Sequence, residues 1–210
     1  MQGQSGFFDL VSTVYSVILG LAIVRICQFF GSLMIVGRSK FYTQRGERMT
    51  VSLPTVLTVM WSTYILHITF EFWYSSLRWK GSVFLPETFG HFVVSLGFPV
   101  ILTLVTFVLC PSPGEAGFND LGEHFRQNSY LLYLLIGMML FVAGFQDYLY
   151  RPDTFGYKYE HAFRWGLGAA CMMLSVAKIH LGDKIDIVAP MIPLLGFLAN
   201  VVLIRFILGS

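Results

Sequence analysis

Apolar positions along the chain fall in long, nearly unbroken runs, not in the alternation of a half-buried strand or the single stripe of a surface helix. Each run approaches the ~20 residues a helix needs to cross ~30 Å of hydrocarbon, where backbone groups must be paired within the segment. The pattern predicts an all-α polytopic membrane protein, a bundle of about six transmembrane helices forming one transmembrane domain over residues 1–210. The helices are expected at about 7–37, 51–74, 86–110, 129–150, 162–179 and 185–208.

Proline and glycine set the boundaries. Pro54 stands in the first turn of the second run, where its missing N–H removes no helical bond. Pro99 falls inside the third run, and Pro111-Ser112-Pro113-Gly114 stops it. Glu115 to Asn128 is the longest polar stretch, in which Asn119 or Asp120 is expected to cap a short surface helix before the fourth crossing. Gln146 and Asp147 close that crossing, and Pro190 and Pro193 predict a kink near the start of the sixth.

Aromatic residues gather at the expected boundaries, as in Phe72, Trp73, Tyr74 and Trp79 and in Tyr148, Tyr150, Tyr157, Tyr159 and Trp165, as an interfacial belt requires. Basic residues report orientation. The first, third and fifth loops carry Arg38, Lys40, Arg45, Arg48, Arg126, Lys178 and Lys184. The second and fourth carry Arg78, Lys80, Arg151, Lys158 and Arg164, so the positive-inside bias places both termini outside the cytoplasm.

Composition agrees. Of 210 residues, 55% are hydrophobic and 12% charged, against ~25% charged in a soluble domain. A net charge of +2 with no basic tract excludes nucleic acid as a partner. Cys27 and Cys171 lie inside apolar runs and Cys110 ends one, which makes neither a disulfide framework nor a CxxC site. Met1 to Gly6 lacks the positive region of a secretory signal, so the first helix is read as retained.

Two pairs place an imidazole and a carboxylate one helical turn apart: His67 with Glu71, and Glu87 with His91. The antiparallel run of helices two and three brings them to similar depth, so together they form a candidate site for a transition metal, with zinc, iron or manganese as the fitting ions. The alternative for such groups is a solvated rim in the headgroup layer. No cofactor is favoured, although His67 and His161 are also a conceivable bis-histidine haem pair. Arg25 is the most expensive residue to place in lipid: it either snorkels to one face or pairs with Glu71 or Asp147. Arg25, His67, Glu71 and Asp147 are therefore the candidates for an ion or proton path. No nucleophile elbow, P-loop or dinucleotide fingerprint is present, which leaves enzymatic activity without positive support.

Small residues at Ala162, Gly166 and Ala170 share one face of the fifth helix and allow another helix to approach closely.

The segment Gly20-Leu21-Ala22 resembles small bacterial multi-pass inner-membrane proteins, together with Gly31, the basic loop, Trp61, His67, Phe72-Trp73 and a helix ending in Cys110-Pro111. The resemblance covers roughly residues 7–150. It implies a bacterial inner membrane and a six-helix or similar bundle, and brings no substrate, cofactor or active residue. Three functional readings stand. The first is a subunit that associates in the bilayer with copies of itself or within a larger membrane complex. The second is a small ion or proton channel or transporter, and the third a membrane metal-binding protein.

Overall fold

The computed structural model describes residues 2–43, 53–77, 89–112, 121–150, 157–182, 184–189 and 191. All regular structure among them is helical: α1 (Gln2–Thr43), α2 (Leu53–Leu77), α3 (Phe89–Leu109), α4 (Leu121–Tyr150), α5 (Tyr157–Leu181) and the short α6 (Lys184–Val188). Three stretches are long and apolar enough to cross a membrane, Ser12–Met34 in α1, Leu121–Gln146 in α4 and His161–Leu181 in α5. Val56–Phe70 of α2 and Val93–Leu109 of α3 are shorter apolar stretches among the described residues. The sixth crossing expected over 185–208 lies, beyond α6 and Met191, outside the described residues.

Several boundaries differ from expectation. α1 has 42 residues, ~63 Å at 1.5 Å per residue, because the polar residues flanking its apolar span still propagate helix. Residues 121–128, read as part of the polar stretch before the fourth crossing, are continuous with that crossing in α4. Asn119 and Asp120 lie outside the described residues. α5 begins at Tyr157, five residues before Ala162, so Lys158 belongs to a helix and not to the fourth loop.

Contacts fix the directions of the helices. Along α3 and α4, Val94 meets Gln146 while Val108 meets His124, so the two are antiparallel. Tyr130 meets Ser175 while Phe141 meets Trp165, so α4 and α5 are antiparallel as well. Ile18 lies beside Thr103, and Arg25 beside Phe107, so α1 runs parallel to α3. The end carrying the α1 N-terminus is called the near end, and the opposite one the far end.

α4 is the hub. It packs on α2, α3 and α5, and half of its apolar span is buried, against 22% for the spans of α1 and α5. α1 packs on α2 and α3, whereas α5 leans mainly on α4. The core holds Leu19, Ala22, Ile26 and Phe29 of α1, Trp61 and Ile65 of α2, Phe98 and Leu102 of α3, and Ile136 and Met139 of α4. Many apolar side chains face outward, among them Leu21, Leu104, Phe107, Met173 and Ile179. Hydroxyls inside the helices satisfy themselves on the preceding turn, as Ser62 does on the Thr58 carbonyl, Thr69 on Ile65 and Thr103 on Pro99.

The α4–α5 contact is made by glycines that the small-residue pattern on α5 did not identify. A Cβ on Gly137 would stand 2.8 Å from the Gly168 carbonyl oxygen, and one on Gly168 would stand 2.8 Å from the Phe141 ring. A Cβ on Gly144 would strike the Trp165 indole at 2.6 Å. By contrast, nothing lies within 4 Å of a Cβ on Gly166. Gly137→Ala is therefore expected to lower the thermal stability of the detergent-solubilised protein by the ~1–3 kcal/mol of an overpacked contact. Gly166→Ala should leave it unchanged or raise it, since only the flexible chain loses freedom. Parallel melting curves of the two variants check this contrast.

Candidate functional site

Of the four residues proposed for metal binding, only the His67 side chain lies within the described residues. His67 is exposed on α2. Glu71 lies one turn further along the same helix and His91 in the first turn of α3, but the side chains of both, and all of Glu87, lie outside the described residues. Among the described residues no three His, Cys, Asp or Glu side chains are grouped to hold a metal ion. His161 is buried with its ring edge-on to Tyr148, at 6.3 Å between centroids. Asp147 sits near the end of α4, its side chain again outside the described residues.

Arg25 turns to the far end. Its guanidinium lies over the Phe107 ring, 4.9 Å from the centroid, and donates to the Ser112 hydroxyl just beyond the end of α3. A cation there complements the negative end of the α3 dipole. Asp147 stands in the last turn of α4, at the near end, away from the Arg25 guanidinium, and the side chains of Asp147 and Glu71 lie outside the described residues.

A different polar cluster is assembled, and the sequence did not identify it. Lys178, counted with the fifth loop in the charge bias, is in the last turn of α5 and buried. Its Nζ donates to Asp186 Oδ2 at 2.6 Å, and Tyr133 Oη donates to Asp186 Oδ1 at 2.9 Å. Both carboxylate oxygens are thus occupied, one by α5 and one by the hub helix. Gly182 makes this possible: with φ at +65° it takes the left-handed conformation that ends α5, and its N–H closes on the Lys178 carbonyl. α6 then returns beneath the bundle. Tyr133 packs in turn on Trp61 of α2, at 5.9 Å between ring centroids, so the cluster ties α2, α4, α5 and α6 together at the far end.

At the near end, polar side chains mend breaks in helices. Pro99 has no N–H to give the Ser95 carbonyl four residues earlier. Gln146, fully buried on α4, donates its Nε2 to that carbonyl at 3.0 Å and to the Val94 carbonyl at 2.5 Å. Gln146 Oε1 is left buried without a hydrogen bond, a cost offset by the two bonds its amide makes. Trp165 Nε1 donates to the Phe141 carbonyl at 3.3 Å, and at the far end a His124 ring nitrogen lies 2.8 Å from the Val108 carbonyl in the last turn of α3.

The outer side of α5 carries the predicted small-residue face. Ala162 and Gly166 are exposed, Ala170 is half-buried, and exposed Met173 and Val176 continue the surface. Beside it opens a lateral groove of about 610 Å³. Val93, Val94 and Gly97 of α3 form one wall, Phe141, Val142 and Phe145 of α4 the floor, and Trp165 of α5 the other wall.

No protein-family model, curated protein or solved structure matches the chain.

Two outcomes follow from this geometry. Lys178→Met leaves the Asp186 carboxylate buried without its ammonium and is expected to destabilise by ~3–5 kcal/mol, while Lys178→Met with Asp186→Leu should recover much of the loss. Thermal unfolding of the singles and the double measures it. Gln146→Leu should cost ~1–3 kcal/mol by stripping the Ser95 carbonyl of its donor. Adding Pro99→Ala, which restores a backbone N–H, should return most of that stability in the same assay.

Proposed function

We propose that the chain is an integral subunit of the bacterial inner membrane that works by lateral association, with copies of itself or within a larger membrane complex. Both termini lie outside the cytoplasm in this reading. The observation that carries it is the division of glycines on α5. Gly168 faces the hub and is already in close contact with Gly137, whereas Ala162 and Gly166 face outward with open space above Gly166. In lipid, helices associate through small residues that let backbones approach, because hydrocarbon offers no hydrophobic gain between them. A second small-residue face, with open space at Gly166 among the described residues, suits another helix.

A channel or transporter requires polar groups at mid-depth. Among the described buried side chains there, Leu19, Ala22, Phe98, Leu102, Ile136 and Met139 are apolar, and the buried hydroxyls of Ser62 and Thr106 are bonded to carbonyls of their own helices, which favours association over conduction through one copy. The metal-binding reading rests on His67, Glu71, Glu87 and His91, of which His67 is exposed on α2 and the other side chains lie outside the described residues.

Native mass spectrometry of the protein in mild detergent, with Gly166→Leu beside the wild type, tests the proposal. A discrete oligomer or a co-purified partner that Gly166→Leu shifts to the lone chain is the expected result. A wild-type chain that stays monomeric and partnerless, and forms no disulfide in membranes from Gly166→Cys or Ala162→Cys, would overturn it.

A further inference from the structure

The geometry points to a bound lipid: the lateral groove between α3 and α5 holds a segment of one acyl chain of a bilayer phospholipid, laid on the floor that α4 provides. The inference rests on the membrane-embedded reading, but it does not depend on association.

The lining decides the chemistry of the occupant. Every side chain in the groove is apolar apart from the indole N–H of Trp165, and that N–H is already given to the Phe141 carbonyl. A water needs two to four polar partners and finds none free here, while an empty space of about 610 Å³ forfeits dispersion contacts along all its walls. The occupant is therefore hydrocarbon.

Its extent excludes a protein partner. One wall runs from Val93 to Gly97 and the floor from Phe141 to Phe145, little more than a turn each, ~6 Å at 1.5 Å per residue. Seven residues line the groove, where a stable protein interface engages ~20–30 on each side. A helix with its side chains is ~10–12 Å across and would meet this slot only at one turn. A flexible chain follows it.

The surroundings supply the chain. Val93, Phe141 and Phe145 are themselves exposed, and the apolar surface continues along α3 through exposed Val100 and Leu104. The groove thus opens directly onto the face offered to lipid. At its near end Tyr148 packs on Trp165 and His161, at 6.2 and 6.3 Å between centroids, an aromatic rim of the kind that marks the headgroup layer. Held there, the chain wedges α5 apart from α3, two helices that otherwise meet chiefly through α4.

Fluorescence of Trp165 tests this, in a variant carrying Trp61→Phe, Trp73→Phe and Trp79→Phe and reconstituted into phosphatidylcholine with dibrominated acyl chains. Bromine is expected to quench Trp165, and filling the groove by Val93→Phe or Gly97→Leu should remove most of that quenching. Val93→Phe enlarges an exposed side chain, so it does not require the bundle to repack. In the otherwise unaltered protein, native mass spectrometry should find one phospholipid retained after the rest is stripped, and lost in Val93→Phe. Quenching that both filled variants preserve would overturn the inference. So would a Trp165 that bromine does not quench, and disulfide-linked copies from Gly97→Cys would then give the groove to a second chain. Release of the protein from membranes by alkaline carbonate would overturn the membrane reading itself.

Discussion

A buried backbone carbonyl that loses its helical donor has no water to turn to, and this constraint organises the bundle. α3 is the helix that most needs help. Pro99 interrupts it from within and Pro111 closes it, and the repair comes from α4 at both places, through Gln146 at the near end and His124 at the far end. The same helix also receives Trp165 of α5 on its own Phe141 carbonyl and Ser175 on its Tyr130 carbonyl. α4 is thus central in bonding as well as in burial.

The two long sides of α4 are joined differently. Toward α5 the join is one of shape, with Gly137, Gly144 and Gly168 clearing space for carbonyl, ring and indole. Toward α3 it is largely one of polar atoms reaching across. α5 therefore sits close to a single neighbour with its other flank open, while α3 is held between α4 and α1. The groove lies where these two modes of joining diverge.

What could be read from the sequence was whatever depends on one segment alone. Run length and charge depletion predict helices, and the stop at Pro111-Ser112-Pro113 coincides with the end of α3. The ends of α1 and α5 were misplaced because polar and aromatic residues flanking an apolar run still extend a helix. Lys178 falls near the end of the predicted fifth helix, and nothing in its own segment reveals the burial that Asp186 of α6 brings. Tyr133 and Gln146 carried no signal at all, since their roles come from Asp186 and Pro99 on other helices. The spacing of Ala162, Gly166 and Ala170 was visible, yet the glycine that α5 uses against the hub is Gly168, because periodicity reveals a face without saying which neighbour it meets.

The turn at Gly182 also has a bearing on the order in which the protein is made. Lys178 emerges from the ribosome eight residues ahead of Asp186. The α4–α5 hairpin therefore carries an ammonium before the carboxylate that holds it exists, and the far end is neutralised only once the chain beyond Gly182 has been added.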